Sequence, residues 1–116
     1  MHELSIVNSI MKTLEMEFGD QKMEELSAIH LKVGPLSNIE PRLLHNAFYA
    51  RHECGSKYHK VQLNIESTSI KVLCNQCSRE SLVENYRFVC SYCDLPSKNI
   101  IQGEEMLIHK VEFSDP

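Results

Sequence analysis

The sequence predicts an α+β chain of two helices and three strands, with a four-cysteine metal ribbon inserted before the last strand. Three observations predict it. Apolar residues recur at helical spacing near residues 4–18 and again after Pro41. Residues 26–34 and 61–66 alternate apolar and polar, as half-buried strands do. Two Cys-x-x-Cys pairs, Cys74/Cys77 and Cys90/Cys93, are separated by residues 78–89, a spacing that suits one shared metal ion.

The first helix is read from Leu4, Val7, Ile10, Met11, Leu14 and Phe18, with Gly19-Asp20 as its stop. In the first strand Ile29, Leu31 and Val33 share one face, Ala28, His30 and Lys32 the other, and Gly34-Pro35 ends the run. Glu40-Pro41 opens the second helix, because a residue before proline is driven out of the helical region while proline suits the first helical position. Leu44, Ala47 and Phe48 form its apolar face, and Gly55 is the expected terminator. Val61, Leu63 and Ile65 make a second strand, and residues 70–73 lead into the first cysteine pair. After Cys93 the chain turns at Asp94-Leu95-Pro96, and residues 105–113 return as the third strand of the first sheet. Its inward face is ambiguous, since Met106 and Ile108 compete with Leu107, Val111 and Phe113. The expected units are therefore 1–69 with 104–116, and the inserted ribbon 70–103.

Two thiolates three residues apart reach one ion only from a tight turn, and two such turns complete a tetrahedron of sulfur. Zinc is the expected occupant of Cys74, Cys77, Cys90 and Cys93, although iron can take the same four sulfurs. Four thiolates leave no open position for water, so the site reads as structural and not catalytic. Disulfides would strand a fifth cysteine, Cys54, and no apolar export segment follows Met1. Zinc binding is worth about 10–16 kcal/mol in peptides of this kind, so the ribbon should fold with its metal and melt without it.

The chain of 116 residues carries 42% hydrophobic and 24% charged residues, as one globular domain does. A net charge of -4 and the lack of a basic run argue against nucleic-acid binding. No apolar run approaches the roughly eighteen residues of a membrane span, so a soluble, cytoplasmic protein is expected. The histidines are scattered: His30 lies on a polar strand face, and His45 and His52 share a helical stripe expected at the surface. His2 is either solvated terminal chain or part of a chelate. The Met1 amine, the His2 backbone nitrogen and imidazole, and the Glu3 amide offer four nitrogens in a square, which divalent nickel and copper accept more readily than zinc.

These residues carry a resemblance. Met1-His2-Glu3, the stretch from Gly34 to Pro41 with Leu44, Ala47 and Phe48, the two cysteine pairs, and Gly103-Glu104-Glu105-Met106 resemble the nickel metallochaperones of hydrogenase maturation, HypA/HybF type, over nearly the whole chain. The resemblance implies two helices on a three-stranded, mainly antiparallel sheet, with a separate zinc-ribbon domain. It also implies a nickel site at Met1, His2 and Glu3 with the acidic Glu40 near it, and zinc on Cys74, Cys77, Cys90 and Cys93. Such a protein catalyses no reaction. It binds Ni(2+) as transient cargo and Zn(2+) structurally, and passes nickel through a HypB-type GTPase toward the nickel-iron hydrogenase large subunit, as a monomer or homodimer. Urease maturation proteins are further partners of this kind. The alternative is a zinc-ribbon interaction module that contacts protein or nucleic acid, with an incidental N-terminus. Cys54 is a departure from the family pattern.

Overall fold

The structure is a computed structural model that describes residues 3–52 and 56–114. Its elements, in order, are α1 (Glu3–Met23), β1 (Leu26–Val33), α2 (Pro41–Arg51), β2 (Gln62–Ser67), β3 (Lys71–Leu73), β4 (Glu80–Leu82), β5 (Ile100–Gln102) and β6 (Met106–Phe113). They form two three-stranded sheets, ordered β2-β1-β6 and β4-β3-β5.

In α1 the buried stripe is Ile6, Val7, Ile10, Met11 and Leu14. It is centred on Val7, Ile10 and Leu14, which turns Ile6 inward and leaves Leu4 at the rim, 48% exposed. Phe18, also expected in the stripe, is part-exposed and sets its ring edge-on to Phe113 at 5.0 Å. Gly19 interrupts the helix at φ 83°, ψ 158°, a conformation essentially reserved for glycine, so the predicted stop is real and a separate turn carries Met23 back into the core. Before α2, Glu40 is extended (φ -86°, ψ 113°) with Pro41 opening the helix, as the pre-proline restriction requires. Leu44 and Phe48 are fully buried. They join Ile29, Leu31 and Val33 of β1 and the α1 stripe in one core.

The two helices on a three-stranded sheet are as expected, but the sense of the sheet is mixed where mainly antiparallel pairing was anticipated. β1 runs antiparallel to β6 and parallel to β2. The reason is connectivity: α2 lies between β1 and β2, and a helical crossover returns the chain in the same direction. β6 resolves its own ambiguity with a bulge. His30 pairs with Lys110 and Leu31 with Ile108, so one extra residue, His109, reverses the alternation. Met106 and Ile108 before it, and Val111 and Phe113 after it, thereby pack on the same core. At the opposite edge the Leu63 N–H donates to the Tyr49 hydroxyl at 2.8 Å.

His52, expected at the surface, is 7% exposed. Its ring lies 4.6 Å from Phe48 and 5.5 Å from Tyr58, and its Nδ1 donates to the Phe48 carbonyl at 3.0 Å. Tyr58 arrives from the far side of the loop and covers a ring that helical spacing alone leaves open. Gly55 and Cys54 lie outside the described residues. Among the described residues no helix is long and apolar enough to cross a membrane.

Candidate metal centre

Each cysteine pair sits on the same turn. The Cys74 N–H donates to the Arg79 carbonyl (3.0 Å) and the Ser78 N–H to the Cys74 carbonyl (2.9 Å). The second knuckle repeats this from Cys90 to Leu95 (2.8 Å) and from Asp94 to Cys90 (2.9 Å). Ser78 and Asp94, the residues just after each pair, both take the left-handed conformation, at φ 60° and 59°. That reversal sends the chain back alongside itself and leaves both thiols of a pair on the inside of the turn.

The four sulfurs lie within 4.8 Å of one another, with Cys77 Sγ and Cys90 Sγ 3.6 Å apart. A tetrahedral zinc with bonds of about 2.3 Å needs sulfurs about 3.8 Å apart, so the cluster fits that ion. Cys74 and Cys90 are buried, Cys77 and Cys93 partly so, and all four are free of disulfides. Backbone amides point at the sulfurs: Gln76 at Cys74, and Tyr92 and Cys93 at Cys90, each 3.4 Å away. Such donors favour thiolate. The Cys90 pKa falls to about 6, chiefly through the Cys93 N–H, with further donation from Tyr92, Cys77 and Ser81. Cys93 is pushed up to about 12, first by its hydrogen bond with Cys77.

Residues that spacing did not reveal complete the centre. Ser81, buried on β4, directs its hydroxyl to Cys90 Sγ (3.8 Å) and accepts the Ser91 N–H (3.0 Å). Ser97, also buried, donates to the Leu73 carbonyl at 2.9 Å, just before the first knuckle. Arg79 lies over the Tyr92 ring at 4.6 Å, tying one knuckle to the other from outside. The inward position of Ser81, between exposed Glu80 and Leu82, is the one signal strand alternation offers.

The structure brings together all four predicted zinc ligands. Met1 and His2 lie outside the described residues. Glu3 is half-buried in the first turn of α1, and Glu40 is exposed at the start of α2. Among the described residues no hydrogen bond or ion pair joins Glu3 to Glu40, and the four cysteines are the one cluster of potential metal ligands.

A family model described as "Hydrogenase/urease nickel incorporation, metallochaperone, hypA" matches residues 1–113. The chain belongs to the HypA family. Among its relatives, the hydrogenase maturation factor HypA of Desulfitobacterium hafniense is 31% identical over 115 residues, covering 99% of this chain and all of that protein. The HypA of Aquifex aeolicus is 31% identical over 113 residues, 97% of each chain. That of Campylobacter jejuni is 34% identical over 106 residues, covering 91% and 93%. The solution structure of the nickel metallochaperone HypA from Helicobacter pylori superposes with a TM-score of 0.68 at 23% identity, covering both chains completely. A second solution structure of a HypA protein gives 0.68 at 26% identity over 97% and 96% of the chains. The HypA family consists of metallochaperones and maturation factors of hydrogenase, not enzymes, and the four-cysteine cluster of this chain suits a metal such as zinc.

Proposed function

We propose that this chain is a cytoplasmic nickel carrier that takes Ni(II) at its N-terminus and hands it on during maturation of nickel-iron hydrogenase. The observation that carries the reading is the family match, which runs from residue 1 and so includes Met1-His2-Glu3. Where the Met1 amine is free, it joins the His2 backbone nitrogen, the His2 imidazole and the Glu3 amide in a planar set of four nitrogens, with Glu40 as a nearby carboxylate. Nickel accepts that tetragonal geometry. The expected route runs through a HypB-type GTPase to the hydrogenase large subunit, and urease maturation proteins are recipients of the same chemical kind. Cys74, Cys77, Cys90 and Cys93 hold a structural zinc, in a ribbon unit of residues 70–103 set into a nickel unit of 1–69 and 104–116.

Nickel titration of protein beginning at Met1 tests this, compared with protein extended by one residue and with His2→Ala. Extension turns the amine into an amide and removes the anchor of the chelate. Both changes should abolish nickel binding while zinc stays at one equivalent. Because the α-amine is protonated below about pH 7.7–8.0, nickel affinity should also weaken as pH falls. An unchanged four-nitrogen planar spectrum in the extended protein would refute the terminal-amine chelate.

A further inference from the structure

The two sheets are joined by two short crossings of the chain, residues 68–70 outward and 103–105 on return, and their strands make little contact with each other. The molecule is long, 55 × 25 × 19 Å, with a radius of gyration of 17.7 Å against about 13 Å for one compact domain of this length. Units connected in this way move relative to one another unless something at the junction holds them.

The carboxylate of Glu105 bridges that junction. Both oxygens of Glu105 accept the Gly103 N–H, at 3.0 and 2.9 Å, and one also accepts the Thr68 hydroxyl at 3.1 Å. Thr68 belongs to the outgoing crossing and Gly103 to the returning one. Around this bond the backbone interlocks. The Gly34 N–H donates to the Glu105 carbonyl (2.8 Å), the Leu36 N–H to the Gly103 carbonyl (2.7 Å) and the Thr68 N–H to the Val33 carbonyl (3.0 Å). Gly103, at φ 125°, leaves room for Ile70 alone: a Cβ there would stand 3.1 Å from the Ile70 side chain. The Glu105 side chain, itself on the returning crossing and fixed there by the Gly103 N–H, thus ties that crossing to the outgoing one through Thr68, beside the end of β1.

The geometry points to Glu105 as a positioning residue, a latch that fixes the pose of the ribbon on the α/β unit by clamping its outgoing and returning strands together. This goes beyond the delivery role, since it holds whether or not nickel binds at the terminus. Burial works against ionisation of Glu105, yet the Gly103 and Glu105 amides and the Thr68 hydroxyl keep its pKa below the ordinary carboxylate value.

The test is backbone 15N relaxation on zinc-loaded full-length protein, which reads the tumbling of each unit separately. Wild type should show one rotational correlation time for the amides of both sheets. In Glu105→Ala the ribbon amides should acquire a shorter one, with zinc still at one equivalent and β1 and β2 amides still protected from exchange. Thr68→Val, which removes only the hydroxyl, should produce a smaller separation in the same direction. If Glu105→Ala does not fold, Glu105→Met is measured in its place, because it keeps the length of the side chain and has no oxygen to accept from Thr68 or Gly103. A single shared correlation time in the glutamate variant, or separation only where zinc is also lost, overturns the latch.

Discussion

Ser81 stands between the knuckles, its hydroxyl aimed at Cys90 Sγ across 3.8 Å while its oxygen accepts the Ser91 N–H at 3.0 Å. It therefore supports the charge on one sulfur and the turn that presents it. Groups that orient metal ligands in this way typically account for about 10–100-fold in metal affinity. Ser81→Ala should lower zinc affinity within that range, measured by competition with a chromophoric chelator, and leave the four-sulfur coordination seen by X-ray absorption intact.

Cys74→Ser, or the same change at Cys77, Cys90 or Cys93, should cost the tightly held zinc and disorder roughly residues 71–100, since metal binding supplies the folding energy of such a unit. The core built on β1 shares none of these ligands, so far-UV circular dichroism should retain its helical signal. Zinc analysis after dialysis checks the first part, and full retention in two of the four variants would refute a four-cysteine site.

Gly34 sits against the backbone of Gly103 with no space for a side chain: a Cβ would overlap the Gly103 carbonyl. Backbone cannot step aside as a flexible side chain can. Gly34→Ala should destabilise the protein by about 3 kcal/mol, at the upper end of ordinary overpacking, as read by urea denaturation. A loss below about 0.5 kcal/mol would show that the crossing relaxes freely.

His52 makes stability depend on pH. Burial disfavours its charged form and lowers its pKa below 6.5, with the Phe48 carbonyl opposing and the neighbouring Arg51 charge adding to the effect. Above pH 6.5 folded and unfolded chains both carry it neutral. As pH falls through 6.5 the unfolded chain takes up a proton that the folded chain refuses, so stability declines by at most about 1.4 kcal/mol per pH unit from this group. Urea midpoints at pH 7.5, 6.5 and 5.5, with zinc in excess, should fall less steeply in His52→Phe than in wild type.

What could be read from the sequence was what neighbours along the chain decide. Gly19 breaks α1, Pro41 starts α2, and the cysteine spacing brings four sulfurs within reach of one ion, because each is a matter of a few adjacent residues. The parallel sense of β2 follows from a crossover rather than from its own alternation. The bulge at His109, the cover that Tyr58 gives His52 and the reach of Glu105 to Thr68 depend on partners distant in sequence, which no local pattern announces. The proposed nickel site rests on the resemblance and the family match alone, since Met1 and His2 lie outside the described residues.

The β6 strand completes the first sheet only after the chain has travelled out through the ribbon and back. To the folding chain that excursion is a loop of residues 70–103 whose ends must meet before β6 can lie beside β1, and for a flexible loop of that length closure costs about 3 kcal/mol of entropy. In the folded ribbon those ends are adjacent, tied by the bond from Gln102 Nε2 to the Ser69 carbonyl at 2.8 Å. A metal that holds the ribbon folded would then act at a distance from its ligands, by shortening the search through which a three-stranded sheet finds its last edge. Refolding should accordingly be faster with zinc present from the start than with zinc added after a chelator.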